Sequence, residues 1–325
     1  MIKIKKVNIK PLFEMAGLEV EEIEIVETLE MYPYKDIVED NWAYYTICGC
    51  KELKKKINAE GKKVEDIGII GICSGVEGIG IVHVFSDTIK SLTVTDIDEE
   101  IIKGTLKNLK ATTNRFNYYI KGLVGLFCEP FQENKIKLDL VHGNIPNLPT
   151  TGDENLSDGD QKGSFAPSNY YVKYNPPQIF VDWALPAQCA YLKSAYSVLR
   201  DGGSVIMELG GRVPFVVIKD LFDQCGFKVE ELVVGFKRQT EAEINFVGYH
   251  RNEIQYGVSF DYYLYEESHN LLASKQIKNP TNQYKAEEIK KMLGQYRVSA
   301  GEAIELYKKN IEVGHIVHLL RGTKK

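Results

Sequence analysis

Asp66-Ile-Gly-Ile-Ile-Gly71-Ile-Cys-Ser-Gly75-Val-Glu-Gly78, followed by Leu92-Thr-Val-Thr-Asp96-Ile-Asp98, is the stretch that decides the fold. An apolar run leads into closely spaced glycines, a second apolar stretch opens at Val76, and the next apolar run ends on two carboxylates. This reads as strand, glycine turn, helix and strand. It is the opening of a doubly wound α/β unit, in which the glycines let the backbone approach a ligand.

The alternation continues outward. Strands are expected at 67–72 and 91–97, with a helix over 76–85 between them. A further helix carries Ile101, Ile102, Leu106 and Leu109 at helical spacing. A weak strand at 123–127 and a strong one at 136–141 follow. Arg200-Asp-Gly-Gly203 leads into a strand at 204–209, and a helix over 213–225 stops at Gly226. Runs at 227–236, 243–250 and 258–265 read as strands without intervening helices, an antiparallel edge on a mainly parallel sheet. The last forty residues read as helical, with Ser299-Ala-Gly-Glu302 as a capping box. The expected fold is a Rossmann-like α/β sheet with helical additions at both ends. Its expected division is an aromatic-rich helical lead-in or lid (1–65), a ligand-binding domain (66–266) and a helical extension (267–325).

At 325 residues, 44% hydrophobic and 26% charged, the chain has the composition of a soluble enzyme. A net charge of −5 argues against a broad nucleic-acid footprint. Lys3, Lys5, Lys6 and Lys10 form the N-terminal basic cluster, read as solvated surface. There is no apolar run of membrane-spanning length and no signal-peptide pattern, so a cytoplasmic protein without a membrane partner is expected. The six cysteines include no CxxC pair, and no metal site is expected. Cys48 and Cys50 read as packing residues. The polar stretch 150–169 reads either as an active-site flap or as disorder, and Tyr32, Tyr34, Trp42, Tyr44 and Tyr45 either as packing or as a lid.

The dinucleotide fingerprint G-x-G-x-x-G fails from Gly71, where Cys73 and Val76 stand at glycine positions, and fails again from Gly75. Gly71, Cys73 and Gly75 instead resemble the G-x-G-x-G turn of class I S-adenosylmethionine (SAM) methyltransferases, with Cys73 at the central glycine. On that resemblance Gly71, Cys73, Ser74 and Gly75 would cradle SAM. Asp96, with Ile97 beside it, would hold the ribose, and Asp98 competes as ribose acid or helix cap. Glu129 falls where an acid often meets the adenine amino group. After the fourth strand, Asn144-Ile-Pro146 resembles the Asn-Pro-Pro-aromatic tetrad of amino-group methyltransferases, without its aromatic. A plain β-turn is the competing interpretation.

The run Gly203 to Arg212, then Leu221 to Val229, together with Gly143-Asn-Ile-Pro146, resembles the methyltransferase domain of methionine S-methyltransferases over about residues 66–265. The resemblance implies SAM as cofactor and the thioether of a small amino-acid-like acceptor as methyl target. Another small N or O nucleophile, or a protein side-chain amide, is the alternative. Cys73 and Ile70 depart from that pattern.

A neutral thioether needs positioning and no general base, whereas an amine or hydroxyl needs one. Asn144, His142 and Tyr171 are accordingly the expected catalytic residues, with His142 the base where one is needed. Arg212 could bind a carboxylate bidentately; its competing reading is a surface ion pair. Among the 19 tyrosines, Tyr34 and Tyr170, with Tyr32 and Tyr171, could face a sulfonium. The expected partner is a small molecule, with homo-oligomers allowed.

Overall fold

The run Asp66–Ile70 (β1) is apolar because both of its faces are covered, the signature of a central parallel strand. It pairs in parallel with Ser91–Asp96 (β2), which pairs with the edge strand Tyr119–Val124 (β3). On its other side β1 pairs in parallel with Leu138–Gly143 (β4), and β4 with Leu199–Gly210 (β5). The sheet therefore grows in both directions from β1 and β4. The carboxyl ends of these two strands mark the topological switch point, where ligands enter such sheets. The computed structural model describes residues 4–325, so Lys3 lies outside the described residues, while Lys6 and Lys10 sit near Glu24, Glu14 and Glu22.

The far side of the sheet departs from expectation. Phe227–Arg238 (β6) does not pair with β5. The final strand, Val313–Lys324 (β7), lies between them, antiparallel to both, with Glu208 opposite Leu319 and Lys237 opposite His315. The order of these strands is β3-β2-β1-β4-β5-β7-β6, and the short strand Tyr262–Leu264 also pairs with β7, antiparallel, with Arg297–Val298 beyond it. The last forty residues are thus helical only in part: Ala286–Leu293 and Ala300–Tyr307 precede β7, and Ser299 and Glu302 do form the capping box of the second. Residues 243–250 are not a strand: they belong to a helix, Ala242–Tyr256. Of the run 258–265 only Tyr262–Leu264 is extended.

Helices cover both faces. Trp42–Ala59 (α1), Val76–Val84 (α2) and Glu99–Thr113 (α3) bury Ile47, Leu53, Ile79, Val82 and Leu109 on one side. Pro186–Val198 (α4) and Phe215–Gln224 (α5) bury Tyr191, Leu192, Ile218 and Phe222 on the other. The Tyr191 hydroxyl lies 3.0 and 3.1 Å from the carbonyls of Val141 and Ile206, fastening α4 to β4 and β5. The lead-in is not wholly helical. Ile4–Asn8 and Glu24–Thr28 form a two-stranded antiparallel ribbon. The ribbon is tied to α3 by Asn108, whose side chain bonds both backbone groups of Val26 at 2.9 Å. This anchorage brings residues 27–43 over the carboxyl ends of the sheet.

Candidate functional site

A large cavity of about 390 Å³ opens at the switch point. Its size is that of a small-molecule site. One end is built by the glycine turn. Gly71 and Gly75 adopt φ of +59° and +91°, and Cys73 adopts +52°. A cysteine in the left-handed region costs about 1–2 kcal/mol, which surrounding contacts must offset. They do so here. The Cys73 N–H donates to Asp96 Oδ2 at 3.3 Å, its carbonyl accepts from the Thr105 hydroxyl, and its Sγ receives the Tyr32 N–H at 3.1 Å. Burial first, and the Asp96 charge second, push its thiol up to about 12, so it is inert as a nucleophile. Ser74 lines the same wall, its carbonyl held by Asn108 at 2.9 Å.

The two acids after β2 separate cleanly. Asp96 is buried, lines the cavity with Ile97, and accepts the Asp98 N–H as well as that of Cys73. Burial raises its carboxyl above the ordinary range. Asp98 instead caps α3, accepting the N–H groups of Glu100 and Ile101 at 2.8 and 3.4 Å, and pairs with Lys162. Beyond β3 the cavity is lined by Gly125, Leu126 and Phe127. Glu129 does not belong to it. Its carboxylate is engaged by the Tyr174 hydroxyl at 2.8 Å and Lys173 at 2.6 Å, at the start of the short helix Glu129–Glu133. β3 ends at Val124, before most of the expected strand at 123–127, so the cavity-facing position falls on Gly125–Phe127.

The other end gathers groups that are distant in sequence. Asn144, after β4, donates from Nδ2 to Glu77 Oε1 at 3.0 Å and to Glu208 Oε2 at 3.3 Å. All three line the cavity. His142 does not. It is fully buried in β4, with Nε2 2.6 Å from Glu77 and Nδ1 without a partner, so the expected base supports Glu77 from beneath. Tyr171 is likewise buried in packing away from the cavity, whereas Tyr170, Tyr32 and Tyr34 line it.

Glu208 and Glu77 escape detection from motifs alone. Glu208 is nonetheless signalled by its setting, an acid inside the apolar run Val205-Ile-Met-Glu-Leu209. It is 3% exposed, bonds only the Thr46 hydroxyl (2.9 Å) and the Asn144 amide, and leaves Oε1 without a partner. Burial, then the neighbouring Glu77 charge, push its carboxyl well above the usual range.

Arg212 is buried rather than in a surface ion pair. Gly210 makes room for it, since a Cβ there would collide with Arg212 Nη1. Its guanidinium donates to Gln239 and, at 3.3 Å, to the Tyr249 hydroxyl, and lies 4.9 Å from the Tyr249 ring centroid. Nε has no partner, and the guanidinium makes no ion pair with a carboxylate among the described residues. A buried cation left this way calls for an anion.

Two segments roof the cavity. Residues 150–169 include the helix Gly159–Ser164, and Gly159, Lys162 and Phe165 contribute to the wall. Lys35 pairs with Asp160 of this segment and with Glu241, each at 3.0 Å, and the Tyr32 hydroxyl donates to Glu241. Burial tends to raise the Glu241 carboxyl, but Lys237 and Lys35 outweigh it and hold it at about 2. No candidate metal cluster occurs among the described residues, and no helix there is long and apolar enough to cross a membrane.

No protein-family model matches the chain, and no curated protein sequence matches it. Similar solved structures include a precorrin-6y methyltransferase from Geobacter metallireducens, 9% identical over 86% of this chain and 87% of that one, TM-score 0.37. A SAM-dependent methyltransferase from Agrobacterium tumefaciens is 11% identical over 65% of this chain and 59% of that one, TM-score 0.41. The magnesium protoporphyrin IX methyltransferase from Synechocystis, solved with bound S-adenosylhomocysteine (SAH), is 10% identical over 63% and 84%, TM-score 0.36. Superpositions this loose say nothing about substrate.

Proposed function

We propose that the protein is a SAM-dependent methyltransferase acting on a small amino-acid-like acceptor, with the thioether of methionine as the leading candidate. One observation carries this. The glycine turn and the buried Asp96 converge at the switch point, on a cavity whose opposite wall presents Arg212 without an acidic partner. The residues at the turn fit the cofactor. Asp96 offers a carboxylate to ribose hydroxyls, Gly71 leaves open space where a Cβ would be, and Gly125–Phe127 provide a wall for a base.

When bound, SAM would supply a sulfonium methyl that a nucleophile attacks in line, the S–CH3 bond breaking to release SAH. The remaining work falls to the chain itself. Arg212 would hold the acceptor carboxylate. Asn144, fixed by Glu77 and Glu208, would set the middle of the cavity. Tyr32, Tyr34, Trp42 and Tyr170 would exclude water and face positive charge, each cation–π contact contributing on the order of 0.5–2 kcal/mol. The expected base, His142, is buried below the cavity, which accords with an acceptor that loses no proton.

A second reading, an amine acceptor deprotonated in the site, draws support from the two carboxylates that Asn144 bridges. Calorimetric titration with SAH tests the common core: absence of binding removes both readings. A mass-spectrometric screen of amino acids for methyl transfer identifies the acceptor. The pH–rate profile then separates the two, because a thioether gives no rising limb from an essential base.

A further inference from the structure

At the acceptor end of the cavity two buried groups of opposite character stand four residues apart at the end of β5. Arg212 has Nε unpartnered and no carboxylate bonded to it, while Glu208 has Oε1 unpartnered and only neutral donors, Thr46 and Asn144, on its other oxygen. Most of the charged neighbours are otherwise engaged. Glu241 is held by Lys35, Asp40 by Arg238 at 3.0 Å, and Lys35 also by Asp160. Lys237 is the exception: its Nζ is buried without a hydrogen-bond partner, 4.9 Å from the Trp42 ring centroid and outside the cavity wall, and it makes no hydrogen bond or ion pair to Glu208, acting on it only through space. A buried carboxyl with an unsatisfied oxygen is costly, and a donor from the ligand recovers that cost.

We propose that Glu208 is the recognition residue for a free ammonium group on the acceptor, paired with Arg212 for its carboxylate. This rests on the methyltransferase reading and deepens it: the ligand class is a free α-amino acid bound as its zwitterion. A residue within a peptide has neither free group and is rejected, which excludes a protein side-chain amide. Glu77 shares Asn144 with Glu208 but is itself tied to His142 at 2.6 Å, so Glu208 has the free oxygen.

The test is a thermal-shift screen of the SAH-saturated protein with the twenty L-amino acids and their N-acetyl derivatives, followed by calorimetry on each hit. The expected result is that at least one free amino acid binds and its N-acetyl derivative binds at least tenfold more weakly. Glu208→Gln, which keeps the side-chain volume and an acceptor oxygen, is expected to lose at least tenfold in affinity for that amino acid while binding SAH as the wild type does. SAH binding by the variant reports that it is folded, and the wild-type comparison of free and acetylated ligands needs no variant at all. The proposal is overturned if no free amino acid binds, if an N-acetyl derivative binds as well as its parent, or if Glu208→Gln keeps full affinity. Absence of SAH binding by the wild type would overturn the methyltransferase reading instead.

Discussion

Replacing Asp96 by asparagine separates the two acids at the end of β2 and tests the proposed cofactor end of the cavity directly. Asp96 is 6% exposed and already accepts the N–H groups of Cys73 and Asp98, each at 3.3 Å. The amide keeps the size and one acceptor oxygen, so the turn should survive, but the charge is lost. A hydrogen bond to a charged acceptor is worth about 1.5–3 kcal/mol. A loss of about 2 kcal/mol on ribose binding corresponds to a roughly 30-fold weaker complex. Burial has already raised the Asp96 carboxyl, so the neutral amide should leave the melting temperature of the free protein unchanged or higher. Asp98→Ala is the counterpart. It removes the cap of α3, at about 1 kcal/mol of stability, and should leave SAH affinity within about twofold. Titration calorimetry with SAH and thermal melts of both variants decide the matter. The assignment is refuted if the Asp96→Asn protein binds SAH as tightly as the wild type, or if Asp98→Ala is the only one of the two to lose it.

Three further outcomes follow from the same contacts. Glu129→Gln should leave SAH affinity unchanged, because the carboxylate is occupied by Tyr174 and Lys173; a loss of about tenfold in calorimetry would restore it to the adenine site. Cys73→Gly relieves about 1–2 kcal/mol of left-handed backbone strain and removes the Sγ contact to Tyr32, so the Tyr32 amide should exchange hydrogen faster; unchanged exchange argues that the sulfur does not anchor that segment. Burial depresses the Lys237 ammonium from 10.5 to about 8, so between those values the folded protein binds fewer protons than the unfolded one and stability rises with pH. Below that window the fold is less stable by about 3 kcal/mol than above it; Lys237→Met should flatten the rise in melts taken across the window from 8 to 10.5, and an identical slope in both proteins would count against it.

The half of the fold nearest the glycine turn was legible because its signals are local. A buried parallel strand needs an unbroken apolar run, the turn needs glycines, and α3 needs a cap, and all three are written within residues 66–113. The far half was not. In β7, Ile316-Val-His-Leu-Leu320 is covered on both faces, so the chain shows neither alternation nor helical spacing. Its neighbours are β5 and β6 rather than anything adjacent in sequence. Residues 243–250 read as extended because Ile244, Phe246 and Tyr249 mix apolar residues at both spacings; the helix there follows from packing against Ala300–Tyr307.

The site divides along the same line, and for a physical reason. The wall assigned to the proposed cofactor comes from strand ends that follow one another along the chain, so motif spacing points to Gly71, Ser74 and Asp96, which all line the cavity. The proposed acceptor end depends on where β7 lies. Because β7 is antiparallel to both β5 and β6, these two strands run parallel to each other and end at the same edge of the sheet. That brings Gln239 and Glu241, which follow β6, beside Glu208 and Arg212 of the β5 end, around one cavity. Had β6 paired directly with β5 as an antiparallel edge, its end would lie at the opposite side of the sheet, and Arg212 would lack Gln239 as a partner. The reversed insertion of β7 is therefore what turns a glycine turn with one useful acid into a two-ended cavity. It also explains why the proposed acceptor end, unlike the glycine turn, has no contiguous sequence signature: its groups are neighbours only once the last strand of the sheet is in place.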